Sequence, residues 1–150
     1  KINGRPYEIF LGKQDDFYLP PIVETAWITK NKDEEGKSRY DLQFKDKQGY
    51  KITIEGLSRS FSPEFWNYAK LISGILRHGM PISNVVTLIQ NLSVDEDNIN
   101  AWKNGIARAL KRYIPDGTKV DKEVCPTCGD ALVYEDGCKH CKNCGYSKCG

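Results

Sequence analysis

All six cysteines of this 150-residue chain lie between residues 125 and 150. They are Cys125, Cys128, Cys138, Cys141, Cys144 and Cys149. Four of them form two matched turns, here called knuckles, with the sequences CPTCG at residues 125–129 and CKNCG at residues 141–145. Two CxxC turns can close a tetrahedral site of four thiolates around Zn²⁺. The spacing therefore predicts that Cys125, Cys128, Cys141 and Cys144 are the zinc ligands.

Other ligand sets remain compatible with the same spacing. Cys138 and Cys141 also form a CxxC pair, which would leave Cys144 and Cys149 as a C-x₄-C pair. His140 could replace one thiolate, although a lone histidine beside a knuckle is more often a bystander or a neighbour of the ligands. In a purely structural site, Cys138 and Cys149 would be inert thiols.

The residues between the knuckles predict a small sheet. Residues 131–135 are apolar and β-prone, and Asp136-Gly137 is a turn pair. A knuckle, a strand, a turn, a return strand and a second knuckle make a zinc ribbon. A module of this size, residues 125–150, cannot bury enough core to fold alone, so the metal must supply folding energy. The polar residues 115–124 show no hydrophobic period and are interpreted as a linker.

The first 57 residues predict a β-rich segment. The candidate strands are residues 7–11, 24–30, 40–45 and 50–55. The last two alternate apolar and polar residues with a period of two, and polar turns at 31–37 and 46–49 precede them. Consecutive strands joined by short turns favour an antiparallel meander with one covered face.

Residues 62–114 predict about three helices. Ser62-Pro63 is a helix-start signal, and Gly79 is a favourable position for the helix to end. A short second helix would carry Val85, Val86, Leu88 and Ile89. The third would open with the acidic residues 95–97 and end before Pro115.

These elements predict an α+β domain over residues 1–114, followed by the linker at 115–124 and the ribbon at 125–150. We expect the meander to pack on the helices near 63–78 and 95–114. The expected core residues are Trp27, Tyr40, Leu42, Phe44, Ile52, Ile54, Phe65, Ile72, Leu76, Trp102 and Ile106.

The composition excludes several classes of protein. Apolar residues make up 39% and charged residues 28%, which is typical of a soluble globular chain. No apolar run approaches the ~20 residues that span a bilayer. Clustered CxxC turns, with no cysteine before residue 125, indicate metal binding in a reducing cytoplasm rather than a secreted disulfide framework. Because the chain opens on Lys1, we expect it to be processed or a piece of a longer protein.

Three segments together resemble the C-terminal region of adenosylcobalamin-dependent (class II) ribonucleotide reductases. They are NGRPYEIFLGK, LISGILRHGMP and the ending GCKHCKNCGYSKCG. The match is most specific in the tail, where the family pattern of a CPxCG knuckle, an apolar strand, a Gly-Cys step and CxxCGYSKC places all six cysteines. Lys139, His140, Lys142 and Asn143 stand where more apolar or small residues are expected, but they change no thiol.

The resemblance implies a function in deoxyribonucleotide biosynthesis for DNA synthesis. Enzymes of this family reduce ribonucleotides by a thiyl radical, and each turnover leaves a disulfide in the active site. Mobile C-terminal cysteines then reduce it by thiol–disulfide exchange. The resemblance assigns this redox relay to Cys138 and Cys149, and a disulfide between them would need no large motion if the return strand brings Cys138 close to the tail.

The resemblance also implies which partners the chain has. Nothing in the chain resembles the catalytic barrel, its radical cysteine or a cobalamin site. The segment would therefore bind Zn²⁺ but not adenosylcobalamin, and it would not turn over nucleotides alone. Its expected partners are the catalytic barrel, on the same or a neighbouring chain, and an external dithiol reductant. We also expect an oligomer and no membrane association.

Two other functions compete with this hypothesis. One is a nucleic-acid-binding zinc ribbon, but residues 121–150 contain four Lys and no Arg against five Asp or Glu, whereas a phosphate-binding ribbon should be basic. The net charge of +2 also gives little attraction to nucleic acid. The other is a pure assembly module that docks subunits through the α+β domain, which is compatible with the redox hypothesis.

Overall fold

The computed structural model describes residues 2–13, 18–95 and 101–150. Within these ranges the elements are β1 (Ala26–Lys32), β2 (Ser38–Lys45), β3 (Lys51–Ile54), α1 (Leu57–Ser60), α2 (Pro63–Arg77), α3 (Ile82–Gln90), α4 (Trp102–Lys111), β4 (Lys119–Val124), β5 (Ala131–Glu135), β6 (Cys138–Cys141) and β7 (Ser147–Lys148). The strands form one three-stranded and one four-stranded antiparallel sheet. The predicted α+β class is confirmed.

The chain divides into two compact units. The first is Ile9–Leu71, and the second is Ile72–Gly150 together with the segment before Ile9. The division into a domain over 1–114, a linker and a ribbon stays a prediction.

The first sheet is the predicted meander, in the order β1-β2-β3. Ala26 pairs with Phe44 in β2, and Phe44 pairs with Ile52 in β3. Both turns have the same chemistry, because an aspartate accepts two backbone amides in each. Asp33 accepts the amides of residues 35 and 37, and Asp46 accepts those of residues 48 and 50. This local hydrogen bonding explains why two polar turns join the strands without a longer loop.

The core of the first unit contains a segment that the sequence assigned wrongly. Leu42, Leu57 and Phe61 are buried together, and Phe10 packs at their edge. Residues 7–11 form no strand, so the first predicted strand is wrong. Phe10 instead lies 5.1 Å from the ring of Tyr40, between ring centroids. An irregular segment that inserts an aromatic side chain into a core can show the same apolar–polar alternation as a strand. The alternation in residues 7–11 therefore predicted a strand that does not form.

The helices α2, α3 and α4 follow the predicted pattern with two differences. Gly79 has φ of +82° just after α2, as expected for the residue that ends a helix. Of the residues predicted to line α3, Val85, Val86 and Ile89 are buried, whereas Leu88 is 43% exposed. The helix α4 begins at Trp102, and the acidic opening proposed at 95–97 falls largely outside the described residues.

No helix in the described ranges is long and apolar enough to cross a membrane.

The predicted core is correct at its centre and wrong at the margin of the meander. Leu42, Phe44, Ile72, Leu76 and Ile106 are buried. Tyr40, Ile54, Phe65 and Trp102 are partly buried. Trp27 is 52% exposed and Ile52 is 38% exposed, so the prediction that they belong to the core is wrong. Trp27 pairs with Gln43 on the polar face of the sheet, and Ile52 lies in an edge strand of only four residues.

The second sheet has the order β4-β5-β6-β7 and carries the cysteines. Strand β4 lies in the segment 115–124 that was interpreted as a linker, and it pairs with β5 through Lys119 and Val133. Its one buried side chain is Val120, which is 4% exposed. Since a single buried residue gives no visible hydrophobic period, the strand could not be recognised without its partner.

Candidate metal centre and disulfide

The two knuckles have the same backbone geometry. The amide of Gly129 donates to the Cys125 carbonyl over 2.8 Å, and the amide of Gly145 donates to the Cys141 carbonyl over 3.0 Å. Both glycines have positive φ, +78° and +77°, which explains why a residue without a Cβ follows the second cysteine of each knuckle. The amides of Thr127 and Cys128 point at the Cys125 sulfur, so the turn itself prepares a site for a thiolate.

The sheet brings the two knuckles face to face. The Sγ atoms of Cys125 and Cys144 lie 3.5 Å apart, and those of Cys128 and Cys141 lie 3.4 Å apart. All four sulfurs lie within 4.8 Å of one another. The first cysteine of each knuckle is buried and the second is exposed. These are the four residues that the sequence proposed as zinc ligands, and the structure brings them together.

The thiols of this cluster do not ionise together near neutral pH, because their pKa values are shifted apart. Burial disfavours the Cys125 thiolate, but the amides of Cys128 and Thr127 and the neighbouring thiols outweigh it and lower the pKa of Cys125 to about 6. The pKa of Cys144 rises to about 12, since the amide of Tyr146 favours its thiolate but the neighbouring sulfurs and burial outweigh that effect. One thiolate therefore suppresses the next. A divalent cation reverses this competition, because it binds thiolates and displaces their protons.

The size of the cluster fits a zinc ion. Four sulfurs placed about 2.3 Å from a tetrahedral zinc lie about 3.8 Å from one another. Two of the pairs, at 3.5 and 3.4 Å, are slightly nearer than this, and no pair is farther apart than 4.8 Å. Soft thiolates in a tetrahedral set are typical of zinc or an iron–sulfur centre, and a set of four protein ligands is typical of a structural site. Four close cysteines in this chain can therefore bind a metal ion such as zinc.

The remaining two cysteines are bonded to each other. Cys138 and Cys149 form a disulfide, with their Cα atoms 4.4 Å apart. This pairing uses two sulfurs that the alternative ligand sets required. His140 lies in β6, opposite Ser147, and does not belong to the group of four close sulfurs. The structure thus separates a four-thiol cluster from a disulfide within one small sheet.

A hairpin and a short edge strand bring the disulfide together. Asp136 and Gly137 both have positive φ, and Glu135 pairs with Cys138 across the turn. This is the two-residue turn that Asp-Gly favours between antiparallel strands. On the other side, Lys139 in β6 pairs with Lys148 in β7. Each half-cystine is therefore next to a paired residue, and the two strands place the sulfurs within bonding distance.

Sequence reasoning missed the helix residue that contacts this site. The ammonium of Lys111, at the end of α4, donates a 2.7 Å hydrogen bond to the carbonyl oxygen of Gly150. A Cβ placed on Gly137 would lie 3.1 Å from the Lys111 carbonyl oxygen, so this turn rests closely on the helix. A lysine in the last turn of a helix was expected only to complement the helix dipole. No local pattern connects it with a residue 39 positions away.

Comparison with known protein families gave a match over the first 115 residues of the chain. A family model described as the NrdJ homologue C-terminal domain matches residues 1–115. The match ends before the six cysteines, which begin at Cys125. Neither the curated proteins nor the solved structures gave a match. Because the matched residues make up more than half of the 150, the chain belongs to the family of NrdJ homologue C-terminal domains.

Proposed function

We propose that this chain is the C-terminal region of a ribonucleotide reductase of the adenosylcobalamin-dependent class. In this proposal it relays electrons to the active-site disulfide through Cys138 and Cys149, and Zn²⁺ stabilises the ribbon. The observation that carries the proposal is the disulfide between these two residues beside a separate cluster of four thiols. A relay needs a sulfur pair that cycles between two states while its scaffold stays folded.

The exchange is balanced in electrons and protons. A thiolate of an external dithiol attacks one sulfur of the Cys138–Cys149 bond, and that bond breaks. The second thiol of the reductant then attacks the mixed disulfide, forms the reductant's own S–S bond and releases the remaining protein cysteine as a thiolate. The reductant leaves as a disulfide, and Cys138 and Cys149 are left as two thiols. When the reduced pair attacks the active-site disulfide in turn, the same two electrons leave the active site as two thiols, and Cys138 and Cys149 return to a disulfide.

The exposure of the two sulfurs suits this chemistry. Cys149 is exposed and Cys138 is only partly buried, so a reductant can reach the bond. The four clustered thiols are a poor relay, because metal-bound thiolates are held and partly neutralised. The division of labour between the two sets of cysteines therefore supports the proposal.

Membership of the family supports ribonucleotides as the substrates of the parent enzyme. The cofactor and the partners follow from the proposal. The chain belongs to a family of NrdJ homologue C-terminal domains, and ribonucleotides would be reduced by the catalytic barrel with which it works. Adenosylcobalamin would bind to that barrel and not to this segment. The partners would then be the barrel and an external dithiol in the cytoplasm.

The test is Cys149→Ser in the intact reductase. We expect the variant to lose multiple turnover with a protein dithiol as reductant, while the pre-reduced active site still completes a single turnover. A small dithiol that reaches the active site directly should bypass the defect. Zinc content should equal that of the wild type.

Cys144→Ser serves as the matched control, because this cysteine is also exposed but belongs to the four-thiol cluster. It should lose zinc. Full multiple turnover of Cys149→Ser with the protein dithiol would show that Cys149 is not part of the relay. Loss of zinc in Cys149→Ser, with zinc retained in Cys144→Ser, would show that the ligand assignment is wrong.

A further inference from the structure

Both ends of the Cys138–Cys149 bridge meet the same turn of α4. Gly137, which precedes Cys138, rests on the Lys111 backbone, with 3.1 Å between its built Cβ position and the Lys111 carbonyl oxygen. Gly150, which follows Cys149, accepts a hydrogen bond of 2.7 Å from the Lys111 ammonium. One residue of the helix thus contacts both chain segments that carry the disulfide.

The Lys111 ammonium has few alternatives to this contact. The residue is 6% exposed, and a buried ammonium costs free energy unless it is hydrogen-bonded. Burial is the main cause that lowers the pKa of Lys111; the positive charges of Lys139, Lys148 and Arg108 lower it further, and Glu123 opposes them. The carbonyl oxygen of Gly150 therefore offsets part of the cost of a charge in a crowded, mostly positive environment.

The segment that carries Cys149 is joined to the sheet by a very short strand. Strand β7 contains only two residues, Ser147 and Lys148, and both are exposed. Cys149 and Gly150 are exposed as well. So short a strand pair is marginal in water without further contacts. Within the described ranges, the disulfide, the two β6–β7 pairings and the Lys111 hydrogen bond hold this segment, and reduction removes the covalent link among them.

We propose that Lys111 is a positioning residue that holds the segment 147–150 against α4 in the disulfide form and sets how easily that disulfide is reduced. When a dithiol reduces the Cys138–Cys149 bond, two electrons and two protons enter the pair, the dithiol becomes a disulfide, and the segment detaches. The Lys111–Gly150 contact is made in the oxidised form and lost in the reduced form. It therefore stabilises the oxidised form and makes the bond harder to reduce.

This inference deepens the proposed relay and rests on it for its role in turnover. If the segment 147–150 is bound to α4 when the disulfide is formed and released when it is reduced, then Cys149 can move towards the active site only in its reduced form. Its test uses the chain's own disulfide, so that failure of this inference leaves the Cys149→Ser result in the reductase untouched.

The first experiment is a redox titration of the zinc-loaded 150-residue chain with dithiothreitol and its oxidised form at about pH 6.5, where ordinary thiols are protonated. The thiols are quenched in acid, alkylated and mapped by mass spectrometry. A hydrogen bond from a charged donor is stronger than one between neutral groups, so its loss should be measurable. We expect Lys111→Met to shift the equilibrium roughly tenfold towards the reduced form, which corresponds to about 30 mV for a two-electron couple.

The matched control is Lys103→Met. Lys103 is the other buried lysine of α4, also 6% exposed, and it donates to the Leu92 carbonyl over 2.9 Å. Its removal should destabilise the fold but leave the redox equilibrium within about twofold of the wild type. An equal shift in both variants, no shift in Lys111→Met, or a shift that makes the disulfide harder to reduce would each overturn the inference.

A second measurement needs no variant. In the wild-type chain, amide hydrogen exchange at Ser147 and Lys148 should speed up at least about tenfold on reduction, while the amide of Leu132 in β5 stays protected. Unchanged protection of β7 in the reduced, zinc-loaded chain would show that the segment does not detach, and the inference would then be wrong.

Discussion

The sulfurs of Cys125 and Cys144 lie 3.5 Å apart although the two residues are 19 positions apart in the chain. One is the first cysteine of its knuckle and the other is the second, and Cys128 and Cys141 repeat the relationship at 3.4 Å. This crossed arrangement makes the four sulfurs into one compact cluster rather than two separate pairs. The four sulfurs therefore offer a single site for one metal ion.

We expect about one Zn²⁺ per chain in protein purified under reducing conditions. Cys125→Ser and Cys141→Ser should each lower the zinc content well below about half an equivalent, because each removes a buried ligand. Removal of the metal by a chelator should unfold β4–β7, since so small a sheet draws its folding energy from the metal. Metal analysis by mass spectrometry and the amide exchange of Leu132 measure the two effects. Wild-type protein with little zinc would contradict the prediction.

The carboxylate of Asp41 predicts an acid-sensitive meander. Asp41 is 2% exposed and accepts hydrogen bonds from the Gly56 amide, the Asn31 amide group and the Arg39 guanidinium, at 2.8, 2.7 and 3.0 Å. Burial alone would raise the pKa of Asp41, but these three hydrogen bonds outweigh it and lower the pKa below its ordinary value. The ionised form is therefore more stable in the folded state than in the unfolded state.

A carboxyl group with a lowered folded pKa stabilises the fold above its unfolded pKa of about 3.9, and this contribution is lost as the pH falls through the lower folded pKa. We expect the free energy of unfolding to fall between about pH 5 and pH 2. Asp41→Asn should be destabilised by about 2–4 kcal/mol at neutral pH and should show a weaker dependence on acid. Urea unfolding at several pH values measures this. The exposed Glu24→Gln is the control, and an unchanged acid dependence in Asp41→Asn would refute the assignment.

The buried stripe of α2 predicts a large difference between two leucines of the same helix. Leu76 is 2% exposed, whereas Leu71 is 68% exposed. Leu76→Ala should lower the free energy of unfolding by about 2–4 kcal/mol, since it leaves a cavity in a packed interior. Leu71→Ala should change it by less than about 0.5 kcal/mol. Thermal or urea denaturation compares the two, and equal effects would mean that α2 buries a different face.

The close contact of Gly137 with α4 predicts that alanine is tolerated less well there than at Gly117. A Cβ at Gly137 would lie 3.1 Å from the Lys111 carbonyl oxygen, and φ is +75° there. Gly117 has a similar φ of +85°, but a Cβ would meet nothing within 4 Å. Gly117→Ala should therefore cost only the backbone strain, about 1 kcal/mol. Gly137→Ala adds the close contact with Lys111 and should cost more, measured as the loss in unfolding free energy of the zinc-loaded chain. Equal losses would show that the turn can move away from α4.

The sequence by itself determined the elements whose geometry is set by near neighbours. A CxxCG turn, an Asp-Gly hairpin and a helix that ends at Gly79 each depend on residues within a few positions, so their chemistry can be read locally. The alternating strands at 40–45 and 50–55 also predicted the meander, because one face of a sheet must be apolar. The resemblance in the tail added the proposed separation of Cys138 and Cys149 from the four ligands.

Tertiary structure alone decided the contacts between distant residues. Whether Trp27 is covered depends on what packs on its face of the sheet, and its partner Gln43 lies on the polar side. Strand β4 exists because residues 131–135 offer it a paired edge, which its own six residues cannot reveal. Lys111 resembles any lysine at the end of a helix until the fold brings Gly150 to its ammonium. Long-range contacts like these depend on where chain segments meet in space, and no local spacing records that.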